Sequence, residues 1–506
     1  MTAPLRVVIV HYHLRRGGVT SVIRHAVTAL RAQGADVLVL AGSHPEIPGF
    51  EAGEICRIDA LDYDDAPPSE SAVNALLLAL QAAVHNRWGN DPVVWHVHNH
   101  TLGKNGILTR AVLRLAQDEV PLILQIHDFP EEGRSRNYAR LRATMEALSG
   151  GLDSAPELYP LGAHIQYAVL NARDHDVLTE AGAPPDHICL LPNAVDMDAS
   201  EEPRIDRPVK AEGGRRLFLY PTRAIRRKNI GEFILWAACA DLGDQFAVTL
   251  APTSPTDVPP YRQWQAFAQE LHLPVQFEVG LNASKTLTQW FREATATITT
   301  SVMEGFGMAF LEPWSLSRPM LGRDLPDITR GLKDEGLDLS HLYEALWIPL
   351  EWIPTPVLRQ CVEHRLSDLY RAYGRSRPAA AADAFFATAI HGDRIDFGRL
   401  DERLQMDIIR RVRTSPQARR LLSESTPLPR IPDRVWVERN RSVIERQYRL
   451  DTYGRRLTAL YDRAFTASPI AVKALSPEII LSRFLDPRRL SLLTLPVPPA
   501  RDESDA

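Results

Sequence analysis

Short runs of β-branched and other apolar residues recur along the first part of the chain without polar alternation: RVVIVHY, ADVLVLAG, PVVWHVH, PLILQIH, HIQYAVLN and HICLLP, with helical spacings between them from about Gly18 onward. Strands that lack a polar face are covered on both sides, and strands separated by helices pair in parallel. The pattern predicts a doubly wound α/β domain. Through VDMDASEEPRIDRPVKAEGG it gives way to charge, proline and glycine, which reads as a linker. A second alternation then runs from RLFLYPTR through NIGEFILWAACA, FAVTLAP, YRQWQAFAQEL, VQFEVG, KTLTQWFREA and TATITTS to RPMLGRD. Two such domains in tandem predict a cleft, with ligands beyond the carboxyl ends of the strands.

From about residue 331 the signal changes. ALWIPLEWI reads as a strand, YGRSRPAAAADAFFATA as a loop entering a helix, and LDERLQMDIIRRV and VERNRSVIERQYRLDTYGRRLTALYDRAF as long amphipathic helices. The tail PVPPARDESDA has the composition of a disordered end.

Composition narrows the class. A chain of 506 residues, 45% hydrophobic and 24% charged, is globular and too long for one core. A net charge of -5 gives no general attraction to nucleic acid. Cys56, Cys189, Cys239 and Cys361 lie far apart, with neither metal spacing nor a disulfide framework, and suit a reducing compartment. No apolar run reaches the roughly 18 residues of a membrane span, and MTAPLRVVIVHYHLRRGG lacks a signal peptide's order, so a cytoplasmic location is expected. Lysine occurs only at Lys104, Lys210, Lys228, Lys285, Lys333 and Lys473, which singles each of them out.

The candidate chemistry falls where predicted strands end. After the first strand, Gly17 and Gly18 open a helix whose free N–H groups favour an anion, although a tight turn reads the same way. The loop is not a G-x-G-x-x-G fingerprint, which disfavours a nicotinamide or flavin site. In YPTRAIRRKNIGE, Arg223 follows a strand and Lys228 comes five positions later. Together they offer a flat fork and a mobile point charge for a diphosphate, against the plainer reading of a solvated basic loop. In SVMEGFGMAFLEPWSL, Glu304 ends a strand, Gly305 and Gly307 free backbone N–H groups, and Glu312 follows eight positions on, inside a helix. A carboxylate there would accept hydrogen bonds from two vicinal hydroxyls.

The run WHVHNH places His96, His98 and His100 at alternate positions, on one face if the strand continues. No cysteine or acidic ligand completes a set, so an acceptor-lining or structural role is preferred to zinc. Asp62-Tyr63-Asp64 and Asp196-Met197-Asp198 imitate a D-x-D metal motif and read as chance pairs. Two polar loops, HNHTLGKN with Lys104 and Asn105 and PEEGRSRN with Arg134, Arg136 and Asn137, would suit a small anionic or polyhydroxylated acceptor, or be ordinary solvated surface.

Taken in order, the Gly17-Gly18 loop, LLPNAVD, Arg223 with Lys228, and the E-x7-E of EGFGMAFLE resemble the retaining GT-B glycosyltransferases of glycosyltransferase family 4 over roughly residues 5 to 330. The resemblance implies an α/β fold of two Rossmann-like domains facing across a cleft, with a helical C-terminal extension. Its implied bounds are 1–205 for the N-terminal acceptor-side domain and 206–435 for the sugar-nucleotide domain with an insertion from about 331. Residues 436–490 would be helices crossing back to the first domain, and 491–506 a disordered tail.

It implies further that Arg223 and Lys228 bind the diphosphate of a UDP-, GDP- or ADP-linked sugar, that Glu312 holds the ribose, and that Glu304 with the backbone of Gly305, Phe306, Gly307 and Met308 faces the transferred sugar. The Gly17-Gly18 loop would border diphosphate and acceptor. In QIHDFPEEGRSRN, His127 matches the family's first-domain histidine beside the donor sugar, and Asp128 would orient the acceptor or begin a turn. The implied mechanism needs no metal and no cofactor: the leaving diphosphate takes the acceptor's proton on the face it departs from. His98, Lys104, Asn105, Asp128, Arg134, Arg136 and Asn137 form the candidate acceptor set. A sugar-nucleotide epimerase, a sugar phosphorylase and a non-catalytic sugar-nucleotide sensor are the competing readings on the same scaffold. Arginines on the late helices leave peripheral contact with anionic lipid as an alternative that interspersed Glu and Asp disfavour. The base, the sugar, the acceptor and the oligomeric state stay open.

Overall fold

The computed structural model describes residues 4–64, 67–149, 158–195, 215–281, 285–425, 430–468 and 471–495. The predicted linker beyond Val195, with Asp196 and Asp198, lies outside them. Two compact units result: Met1–Asp196 with Arg446–Leu485, and Met197–Glu445 with Asp486–Ala506.

In the first unit the apolar runs form β1 (Arg6–His11), β2 (Asp36–Ala41), β3 (Ile55–Arg57), β4 (Val94–His98), β5 (Leu122–Ile126), β6 (Pro160–Leu161), β7 (Ile165–Val169) and β8 (Ile188–Leu190). All but β6 join one parallel sheet in the order β3-β2-β1-β4-β5-β7-β8. Its strands are apolar on both faces because both are covered: Val8 and Val10 pack toward one helical layer, Val7 and Ile9 toward the other. The strand order reverses between β1 and β4, and that reversal marks where a crevice opens at the carboxyl ends.

The second unit repeats the plan with β9 (Leu217–Arg223), β10 (Gln245–Leu250), β11 (Val275–Gln276), β12 (Ala296–Thr299) and β13 (Met320–Gly322), parallel in the order β11-β10-β9-β12-β13. Here the reversal lies between β9 and β12. The insertion adds β14 (Trp347–Pro349), β15 (Ile390–His391) and β16 (Arg394–Asp396), a small antiparallel sheet, and several helices. ALWIPLEWI is therefore only a three-residue strand followed by a 3-10 turn. Buried Arg323, just after β13, bonds Asp396 at 2.9 Å and Glu232 at 3.2 Å, pinning the insertion to the sheet. Three charges so buried are held by one another.

The long helix read from VERNRSVIERQYRLDTYGRRLTALYDRAF is two helices, Arg434–Gln447 and Leu450–Thr466. Between them Tyr448 is buried, its carbonyl accepts from Val195 N–H at 2.8 Å, and Arg449 is extended. The unit boundary, between Glu445 and Arg446, falls in the last turn of the first helix, just before this break. The second helix packs on Gly18–Ala32 through Tyr453, Leu457, Leu460 and Tyr461, and β17 (Lys473–Ala474) pairs with β6. Residues 491–495, assigned by sequence to the tail, instead form a turn with Leu492, Leu493 and Leu495 buried. Arg226 and Arg365 bond its carbonyls, which gives a terminal segment a fixed place. PVPPARDESDA lies outside the described residues. No described helix is long and apolar enough to cross a membrane.

Candidate active site

Both sets of candidate residues sit at the strand-order reversals. In the second unit the chain leaves β9 at Arg223, makes a 3-10 turn over Arg226–Lys228, and passes Asn229 in a left-handed conformation into the helix Ile230–Cys239. The loop after β12 is tied to that turn by Val302 N–H to the Arg227 carbonyl, 3.0 Å. The Tyr220 hydroxyl lies 2.9 Å from both the Lys228 carbonyl and Ser301 Oγ. These ties bring Lys228 Nζ and Glu304 Oε1 into a close ion pair. Ser301 Oγ donates to the same carboxylate at 2.6 Å, and an Arg227 Nη1 stands 3.8 Å away.

Glu304 thus lies five residues past the strand, not at its end, and it is buried. Burial opposes its charge, yet Lys228, Arg227 and Ser301 hold its carboxyl below the ordinary value. Glu312 opens the short helix Glu312–Ser315. Burial pushes its carboxyl up, Lys228 draws it part of the way back, and among the described residues it has no hydrogen-bond or ion-pair partner. A half-buried carboxylate without a partner is placed to receive a ligand's hydroxyls.

Between the two acids, Gly307 has φ 85°, and a Cβ there would stand 2.8 Å from Ile328 and Phe310 atoms. Only glycine makes this bend. The backbone N–H groups of Phe306, Gly307 and Met308 have no hydrogen-bond partner among the described residues. Arg223 stands apart from the pair, exposed, with Nη1 donating to the Ala251 carbonyl at 2.9 Å.

In the first unit Gly17 is extended and caps the helix Gly18–Ala32, whose first turn carries no acid. A Cβ on Gly17 would meet only the Arg15 carbonyl at 3.9 Å, and one on Gly18 nothing within 4 Å. Packing does not demand glycine there, so the open space is available to a ligand.

After β4, Asn99 takes a left-handed conformation, φ 55°, and its Oδ1 accepts from the backbone N–H of His127 at 2.7 Å and of Asp128 at 3.1 Å. This asparagine sets the position of His127, and its place in the HNH run was the available signal. The same turn ends the strand before His100. That residue does not share a face with His96 and His98: its Nε2 lies 3.1 Å from the Leu158 carbonyl, beside Tyr159.

His127 keeps 8% of its surface exposed, and its Nε2 lies 2.8 Å from Nδ1 of fully buried His98. Burial lowers His127 to about 4, with Asp128 opposing, so the ring is neutral near pH 7. Among the described residues no group of three or more His, Cys, Asp or Glu is arranged to hold a metal ion.

The acceptor set divides. Asn105 is buried: Oδ1 caps the helix Gly106–Gln117, and Nδ2 donates to the Ala60 and Asp62 carbonyls at 2.8 Å. Its amide has nothing left for an acceptor. His98 likewise lies beneath His127 and touches no solvent. Asp128 is ion-paired with Arg134, and Asn137 packs by its backbone against Gly103. Lys104 and exposed Arg136 have no ion-pair partner among the described residues. Lys104 Nζ stands 5.2 Å from the centre of the Tyr63 ring, with Arg15 at 5.7 Å and the His13 ring at 4.8 Å. Asp62 pairs with Arg15, which accounts for half of the supposed D-x-D. Tyr63 and Arg15 join the basic patch unannounced by any motif.

Residues 17–194 match the Glycosyl transferase 4-like domain. A mannosylglucosyl-3-phosphoglycerate synthase from Petrotoga mobilis is 30% identical over 349 residues, a stretch covering 64% of this chain and 66% of the relative. The matched region is thus a little under two thirds of each protein. Sucrose-phosphate synthase from Thermosynechococcus elongatus superposes with a TM-score of 0.50 at 14% identity, over 92% of this chain and 100% of that one. HepE from Anabaena, solved in complex with UDP, gives a TM-score of 0.50 at 10% identity, over 90% and 99%. The fold class is α/β of GT-B type, two Rossmann-like units with a helical C-terminal extension. Residues 17–194 thus form a glycosyl transferase 4-like domain within that fold.

Proposed function

We propose that this chain is a retaining, metal-independent glycosyltransferase that moves a hexosyl group from a nucleotide-diphospho-sugar to a small anionic acceptor. The observation that carries the reading is the Lys228–Glu304 ion pair beside the unpartnered Glu312 carboxylate, all at the strand-order reversal of the second unit. A cation on the basic turn Arg226–Lys228 suits a departing diphosphate, and a lone half-buried carboxylate suits a ribose diol. Arg223 supplies a second cation for the diphosphate. The backbone from Gly305 to Met308, with Glu304, meets the sugar, and neutral His127 meets one of its oxygens. On this reading the C1–oxygen bond to the phosphate breaks as the acceptor oxygen bonds C1 on the same face, and the leaving phosphate takes the acceptor's proton.

The acceptor side rests on the basic patch of Lys104, Arg15 and Tyr63 with nearby polar loops, and on the Petrotoga relative, whose name describes a phosphoglycerate-bearing product. Lys104→Ala combined with Arg136→Ala is expected to raise the acceptor KM while leaving the donor KM unchanged. An unchanged acceptor KM removes the patch from the site. A cytoplasmic setting belongs to this proposal and leans on the four free cysteines.

A thermal-shift comparison with UDP-, GDP- and ADP-hexoses tests the donor site. One nucleotide sugar is expected to stabilise the wild type, and Glu312→Ala to weaken that ligand about 10- to 100-fold, as expected for hydrogen bonds to a charged group, without lowering the melting temperature of the free protein. Wild-type affinity in Glu312→Ala contradicts the clamp.

A further inference from the structure

His98 is buried on every side at the end of β4, with His96 stacked on it at 4.4 Å and His11 edge-on at 6.1 Å. Its ring plane is nearly parallel to that of His127, 11° apart, and 2.8 Å separates its Nδ1 from His127 Nε2. One proton lies between those nitrogens, and two placements are possible. If His127 donates, a neutral His98 must carry its own proton on Nε2, which is buried and has no partner among the described residues. If His98 donates, its Nε2 holds only a lone pair. An orphaned buried N–H is the rarer and costlier arrangement.

The neighbours do not relieve it. His96 Nε2 lies 2.9 Å from Gln125 Oε1, which makes that nitrogen the donor, and His96 Nδ1 lies 2.8 Å from the Tyr461 hydroxyl, which fills its lone pair. Among the described residues no acceptor within hydrogen-bonding reach remains for a proton on His98 Nε2.

We infer that His98 is a positioning residue that fixes the tautomer of His127: His98 Nδ1–H donates to His127 Nε2, so neutral His127 carries its proton on Nδ1 and presents an N–H donor to its ligand. A free neutral histidine favours the opposite tautomer, so the donor is imposed by the partner on the other ring nitrogen. Tyr461, from the helix that returns to this unit, holds His96 beneath the pair. What the donor does rests on the glycosyl-transfer reading, where it bonds an oxygen of the transferred sugar. The tautomer itself does not depend on that reading.

The test is long-range proton–nitrogen NMR on the full chain with labelled histidine, near neutral pH and without ligand, His127 being assigned by its loss in His127→Asn. Protonated Nδ1 and bare Nε2 on His127 are expected. The reverse pattern overturns the inference. His98→Leu removes the donor and is expected to release the tautomer and lower kcat by about 10- to 100-fold, the range for losing a group that orients an imidazole, with donor KM nearly unchanged. His98→Asn keeps an amide donor near the Nδ1 position and is expected to restore both. Wild-type kcat and tautomer in His98→Leu also overturn the inference. Should His98→Leu fail to fold, the wild-type spectrum and His98→Asn still decide it. If the wild type turns over no sugar nucleotide, the functional reading falls while the measured tautomer still confirms or refutes the role of His98.

Discussion

In Lys228→Ala, turnover is expected to fall by about 10² to 10³, the loss typical when one preorganised donor to a developing negative charge is removed. The Lys228 side chain is only 15% exposed and its ammonium lies against Glu304, so it acts in a setting where water screens little. Its loss also leaves Glu304 with Ser301 and a more distant Arg227 as neighbours. The effect belongs mainly in kcat, because charge on the leaving phosphate grows as the glycosidic bond breaks. Steady-state kinetics with a melting curve separate this from misfolding: low kcat in a folded variant supports the role. A kcat within a few-fold of wild type would assign the leaving-group charge elsewhere, with exposed Arg223 the next candidate.

Acid is expected to unfold the first unit early. His11 and His96 are lowered to about 3, His100 and His127 to about 4, and His98 well below the ordinary value, in each case first by burial. These histidines bind protons more readily in the unfolded chain, where the pKa is about 6.5. Their stabilising contribution is therefore complete above that pH, and is lost progressively as pH falls through 6.5 toward the folded values. Each withdraws up to about 1.4 kcal/mol of stability per pH unit as pH falls within that window, so five together outweigh most single substitutions. Urea midpoints between pH 7.5 and 4.5 check it: a steep fall below about 6.5 is expected. A flat profile would mean that the rings take up protons within the folded state.

The two parallel sheets were legible because strands buried on both faces lose their polar alternation, as RVVIVHY and PLILQIH do. The loops carrying Gly17, Lys228 and Glu304 followed from the strand ends. What sequence missed depends on tertiary partners. The break at Tyr448 interrupts an unbroken helical spacing, because a buried side chain and the bond from Val195 decide it. Asn105 resembled a ligand-facing polar residue until the Ala60 and Asp62 carbonyls claimed its amide. His100 left the histidine face through one left-handed residue, Asn99, which a period-two reading cannot anticipate. Leu492 and Leu493 looked like the start of a tail because the arginines that bond their turn lie far away in the chain.

The most direct test is release of nucleoside diphosphate from UDP-, GDP- and ADP-hexoses, measured with and without a small phosphate-bearing acceptor, with the product's anomeric configuration read by NMR. Acceptor-dependent release and a product that keeps the donor's configuration at C1 are predicted. Epimerised donor without acceptor, turnover only with inorganic phosphate, or an inverted product would contradict the account.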